Sequence, residues 1–166
     1  MSEGERTRDL FEGYGGDGMP LKGYAVVMGF YNLIFALFLL FAPRAGRKIP
    51  ERMRLSDILL LGVATHKLSW LLARDPVTAP IRAPFVAYEE KESPTHVSER
   101  PRGGGLRRSI GELLGCQFCL DQWIAAFFAY ALLLFPAATR LAASVFAVVA
   151  VSDTLHQLYK GLMKRA

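Results

Sequence analysis

Cysteine and histidine are scarce in this chain, with two cysteines and three histidines among 166 residues. A single pair of thiols excludes a relay of electrons between two dithiols within the chain. A tetrahedral metal centre needs about four ligands. Beyond Cys116 and Cys119 only His66, His96 and His156 remain, in three separate segments. Repeats at solenoid periods and lipidation patterns are also missing. What is present is apolar sequence in long, nearly uncharged runs.

Apolar residues make up 52% of the chain and charged residues 21%, and the two are segregated into blocks. Tyr24 to Ala42 carries no charge at all. Leu55 to Ala73 holds Asp57 near its start and His66-Lys67 further on. Blocks from about Cys116 to Phe135 and from about Ala138 to Tyr159 follow, with Asp121 in one and Asp153 and His156 in the other. A helical span needs about 20 apolar residues. The expected fold is therefore all-α: an integral membrane bundle of four transmembrane helices at about 24–42, 55–73, 116–135 and 138–159. Residues 1–23 read as a flexible polar tail preceding a domain of residues 24–166. The first block follows five acids and precedes basic residues, unlike a cleaved signal peptide.

Between spans two and three, prolines at 76, 80 and 84 rule out an ordinary helix interior and predict an extended or turning elbow along the membrane surface. The hydrophilic stretch from Tyr88 to Gly105 reads as a flexible loop. Ser109 and Glu112 have the spacing of a capping box and are expected to open the third helix. Pro136 to Arg140 is tight enough to force spans three and four into an antiparallel hairpin.

The net charge of +5 arises at the flanks of the spans, so the expected partner is the lipid bilayer rather than nucleic acid. A second copy of the chain or another membrane protein is the further candidate. Thirteen Lys and Arg fall on the side of the termini and the long loop, against six on the other. The count favours termini in the cytoplasm, although the flanks of span one taken alone favour the opposite.

Two groups of residues could carry chemistry. Cys116 and Cys119 share one face of a helical turn, as a redox pair or as two metal ligands. Packing of two small soft side chains is the plainer explanation. A start at Ser109 would put both thiols past the first turn, beyond most of the help of the helix dipole. Four helices with C-x-x-C at a helix entrance resemble membrane oxidoreductases of the disulfide-forming and vitamin K-reducing kinds, but those use a second cysteine pair. The other group, His66, Lys67, Asp153 and His156, lies within spans, where charge is costly unless paired. Lys67 or His66 could neutralise Asp153, and a proton or ion path is the functional alternative to snorkelling. Small residues four apart (Ala25/Gly29, Ala125/Ala129, Ala138/Ala142, Ala143/Ala147) allow close helix packing. Trp70, Trp123, Tyr24 and Tyr159 suit an interfacial belt.

Two stretches, Thr65-His-Lys-Leu-Ser-Trp-Leu-Leu-Ala-Arg-Asp-Pro-Val-Thr-Ala-Pro-Ile-Arg-Ala-Pro-Phe85 and Gly111-Glu-Leu-Leu-Gly-Cys-Gln-Phe-Cys-Leu-Asp-Gln-Trp123, resemble the signatures of a family of small bacterial membrane proteins catalogued as a domain of unknown function. The second is typically G-E-L-x-x-C-P-x-C-x-G-x-W. The resemblance covers roughly residues 55–160. It implies a polytopic protein of the bacterial cytoplasmic membrane and brings no activity or cofactor. Gln117 stands where proline is usual and Asp121 where glycine is usual. An ionised Asp121 beside the thiols would oppose thiolate formation. The leading expectation is a non-enzymatic membrane component or partner subunit. The alternatives are a dithiol oxidoreductase or metal-binding protein using Cys116 and Cys119, and transport of a small solute or ion by an oligomer.

Overall fold

The computed structural model describes residues 19–47, 49–93 and 96–164, so residues 1–18 of the expected polar tail lie outside the described residues. The elements in chain order are α1 (Leu21–Arg44), α2 (Leu55–Arg74), a 3-10 turn (Pro76–Thr78), α3 (Ala79–Arg82), β1 (Val86–Ser93), β2 (His96–Pro101), α4 (Gly105–Gly115), α5 (Gln117–Leu134) and α6 (Pro136–Met163). Four of these, α1, α2, α5 and α6, are long and apolar enough to cross a bilayer. They lie where the apolar blocks placed them, with α1 and α6 extended at both ends.

Helix α2 packs against both α5 and α6. The core is Leu61, Ala64 and Ala73 from α2, Leu120, Ile124 and Phe128 from α5, and Ala143 from α6. Ala64 and Ala143 have no exposed surface, which fits close approach of backbones at small residues. Of the four small-residue pairs, Ala143/Ala147 thus belongs to this seam, whereas Ala138 and Ala142 are exposed and nothing comes within 4 Å of a Cβ built on Gly29. Helix α1 joins the bundle through rings. Phe38 stacks on Tyr130 with centroids 4.2 Å apart, and Tyr31 meets Trp123 edge-on at 5.2 Å.

The two ends of the bundle are tied differently. At one end Asp57, at the start of α2, receives both Nε and Nη2 of Arg140, at the start of α6, at 2.8 and 2.9 Å. At the other end the described residues between α2 and α5 fold into a plate over the helices. The elbow is not extended. Asp75 accepts from the Val77 N–H at 2.8 Å and starts the 3-10 turn, which passes into the single turn of α3. Asp-Pro starts the turn and Pro80 sits in the first turn of α3, where a missing N–H costs nothing. Three prolines are therefore compatible with two short helical pieces, though not with one long helix.

The hydrophilic stretch is not an unpaired loop. β1 and β2 form an antiparallel two-stranded sheet, from Val86 opposite Pro101 to Ser93 opposite His96, with irregular register after Tyr88 and after Lys91. The fold is thus mostly helical rather than all-α. Val86 and Val97 are the buried apolar residues of the hairpin, and a two-stranded hairpin alone is marginal in water. Its anchorage comes from Arg82, which has no exposed surface. The guanidinium takes Glu99 of β2 in a bidentate pair, Nε to Oε2 at 2.7 Å and Nη2 to Oε1 at 3.1 Å. Nη1 donates to the Leu72 carbonyl and to Thr78 Oγ1, each at 2.6 Å, and both terminal nitrogens lie 3.2 Å from the Asp75 carbonyl. Arg82 therefore caps the open carbonyls of α2 and clamps the hairpin with one group.

Helix α4 closes the plate. At Gly111 an added Cβ would meet the Phe85 carbonyl oxygen at 2.6 Å and Pro101 Cβ at 3.2 Å, so glycine permits the contact with the hairpin. Gly23 of α1 lies as close against Ser109 and the Gly105 carbonyl. Ser109 is therefore not a cap. It sits inside α4 with its hydroxyl 3.3 Å from the Gly105 carbonyl and 3.4 Å from that of Pro20.

Removing one partner of a buried ion pair costs about 3–5 kcal/mol. Arg82→Ala is therefore expected to raise protease cleavage within residues 86–101 by on the order of 100-fold, with the helical circular dichroism of the four long helices retained. Arg82→Lys should give most of the same effect, because an ammonium cannot reproduce the bidentate geometry. Gly111→Ala should also loosen the plate, whereas Gly29→Ala should change neither cleavage nor thermal stability.

Candidate functional site

The long helix expected from Ser109 onward is broken. α4 ends at Gly115, Cys116 adopts an extended conformation (φ −105°, ψ 104°), and α5 begins at Gln117. The break turns the chain from the plate into the bundle. Glu112 holds α4 in place by accepting from Arg108 Nε at 2.9 Å and from the Tyr24 hydroxyl. Arg107 ties α4 to the elbow through two bonds to the Pro84 carbonyl, at 3.0 and 2.7 Å.

Cys116 is consequently the N-cap of α5. Its Sγ accepts from the Cys119 backbone N–H at 3.2 Å, and its carbonyl accepts from Leu120 N at 3.0 Å. Both thiols therefore sit at the first turn of a helix, not beyond it. They are joined to each other as a disulfide, with Cα atoms 5.2 Å apart. In this oxidised form they are not free to act as metal ligands. No group of three or more His, Cys, Asp or Glu able to hold a metal occurs among the described residues. A cross-link enclosing four residues contributes only roughly 2 kcal/mol in the chain-entropy account. Helix geometry already places the two residues one turn apart, so the bond adds little to the fold.

Beside the disulfide a row of polar contacts joins the bundle near the plate. Gln117 Nε2 lies 3.3 Å from His66 Nδ1. Ser69, fully buried, donates to Asp121 Oδ1 at 2.5 Å. Lys67 Nζ pairs with Asp153 Oδ2 at 2.5 Å and sits 4.6 Å from the centre of the Trp70 ring. Gln122 donates to the Tyr31 hydroxyl at 2.6 Å. The two departures from the usual motif, Gln117 and Asp121, thus make polar contacts between α5 and α2 beside the apolar core.

Of the four polar residues singled out within the spans, Lys67 and Asp153 meet, His66 turns to Gln117, and His156 is exposed on α6 and joins neither pair. Sequence reasoning did not find Arg82, Glu99, Ser69 or the pair of Asp57 and Arg140. Arg82 is one basic residue among prolines, and its partner is placed only by the hairpin. The plate also carries an open, mainly apolar cavity of about 320 Å³ between elbow and hairpin, walled by Pro76, Ala79, Ala83, Val86 and Val97.

The comparisons with known proteins bear on this same region. Residues 60–159 match the family described as "Protein of unknown function (DUF1360)". The chain is also similar to "Sporulation protein YjcA" of Bacillus subtilis (strain 168), 31% identical over 104 residues, which are 61% of this chain and 88% of that protein. No solved structure matches the chain. The family match includes the elbow, the hairpin, α4, the cysteine pair and the polar contacts that α5 and α6 make with α2 near the plate, and leaves α1 outside. On the strength of that match across most of the chain, the protein belongs to the DUF1360 family of bacterial proteins of unknown function.

Proposed function

We propose that the protein is a multi-pass component of the bacterial cytoplasmic membrane that works through its plate, as a scaffold or partner subunit. The observation that carries this reading is the buried Arg82. Joining two spans needs only a short connector, as residues 45–54 and Phe135 illustrate elsewhere in the chain. The described residues between 75 and 116 are instead folded, clamped to α2 by a buried charge and locked by α4. A long connection with its own rigid structure presents a surface, and conserving that surface's shape is the use of such a clamp. The charges inside the bundle need no transport role, since Lys67 and Asp153 neutralise each other. Sporulation, the process in the name of the Bacillus relative, is where a partner is sought first.

The plate, the start of α1 and the end of α6 lie on one side of the bundle. The greater count of Lys and Arg on that side favours the cytoplasm. A single-cysteine reporter at Ser98, in a Cys116→Ser/Cys119→Ser background, is expected to resist a membrane-impermeant maleimide in intact cells and to react after permeabilisation.

A photo-reactive residue at Tyr88, 63% exposed on β1, tests the plate as a docking surface against one at Leu141, 70% exposed on α6. In native membranes Tyr88 is expected to give discrete protein adducts that disappear with Arg82→Ala, and Leu141 to give lipid adducts. Protein adducts unchanged by Arg82→Ala, or none from Tyr88, would refute the docking role.

A further inference from the structure

Helix geometry already brings Cys116 and Cys119 together, so their disulfide is not needed to place them. Both residues are fixed by the first turn of α5, through the Leu120 N–H on the Cys116 carbonyl and the Cys119 N–H on Cys116 Sγ. The two cysteines differ in setting. Cys119 is exposed, whereas Cys116 is half-buried at the N-cap. The N-cap sulfur receives a backbone N–H and lies at the positive end of the helix dipole, and both stabilise a thiolate. Phe118, between them in the sequence, is 85% exposed and offers an apolar contact on the same turn as the exposed Cys119. Asp121, the nearby acid, is bonded to Ser69 on the α2 side.

From this asymmetry we propose that the disulfide exchanges with the thiols of a protein dithiol at the membrane surface, and that Cys119 is the sulfur attacked. A thiolate of the partner attacks Cys119 Sγ, the S–S bond breaks, and its electron pair leaves on Cys116 Sγ as the stabilised thiolate. A better-stabilised leaving thiolate speeds such exchange. The partner's second thiolate then attacks its own sulfur in the mixed disulfide and releases Cys119. The partner dithiol is oxidised to a disulfide by two electrons, Cys116 and Cys119 become thiols, and the two protons given up by the partner end on them. This direction opposes the usual order of such motifs, in which the first cysteine is attacked, and follows from the exposure of Cys119 here. The inference goes beyond the docking surface and does not rest on it. An exchangeable pair also reconciles a disulfide with a cytoplasmic plate, because disulfides in that compartment are mostly transient.

The test uses the full-length protein in lipid nanodiscs, oxidised beforehand, with reduced glutathione as the probe. After acid quenching, mass spectrometry is expected to find the mixed disulfide on Cys119 rather than Cys116, followed by the fully reduced pair. In the single variants, the Cys116 thiol of Cys119→Ser is expected to alkylate on the order of tenfold faster near neutral pH than the Cys119 thiol of Cys116→Ser. A merely structural pair would not show that difference, and circular dichroism of each variant shows whether α5 remains folded. A bond that resists millimolar glutathione, an adduct on Cys116, or equal alkylation rates in folded variants would overturn the proposal.

Discussion

A guanidinium removed from water requires a partner for each of its N–H groups, and Arg82 finds them in α2, in the elbow and in β2 at once. That requirement fixes three elements relative to one another. The C-terminus of α2 gains donors for its open carbonyls, the turn at Asp75–Thr78 gains its shape, and the hairpin gains an anchor its two buried valines could not supply. Helix α4 then lies against the hairpin at Gly111 and against α1 at Gly23, both points where a side chain would collide. The plate is therefore continuous with the bundle.

The same arrangement determines the setting of the cysteine pair. Because α4 is held by the plate and α5 by the core, the chain must turn between them, and the turn falls at Cys116. An unbroken helix from Ser109 would have put the thiols in mid-helix, with the Cys119 N–H committed to a carbonyl one turn earlier. The break gives Cys116 Sγ the Cys119 N–H instead. Gln117 and Asp121 secure the far side of the break to His66 and Ser69, so the polar contacts and the thiol chemistry belong to one junction.

The four long helices were readable from the sequence because apolar length is a strong local signal. The junction and plate were not, for identifiable reasons. Glu89 to Glu92 gives β1 the composition of a loop, and its strand character comes from pairing and from Arg82, seventeen residues away from Glu99. The S-x-x-E pattern at Ser109 and Glu112 has the spacing of a cap, but Ser109 is buried against α1 and Glu112 binds Tyr24 and Arg108. The prolines of the elbow were a correct sign that α2 could not continue, and they left the form of the turn open. At the site, the sequence singled out the cysteine pair and offered Lys67 or His66 as a partner for Asp153, with snorkelling of Lys67 as the plainer reading. The pairing actually formed and the roles of Gln117 and Asp121 required the packing of α5 and α6 on α2.

The central claim is that the charged stretch between α2 and α5 is a folded plate clamped by a buried arginine. Amide hydrogen exchange of the unmodified protein in lipid nanodiscs tests it most directly. Backbone amides of Ala87 and Arg100, which face each other in the hairpin register two residues on from the Arg102 N–H bond to the Phe85 carbonyl, should exchange slowly, at rates comparable with those of α4. Exchange of the whole stretch at the rate of an unstructured peptide, with α2 and α5 still protected, would contradict the account and return these residues to a free loop.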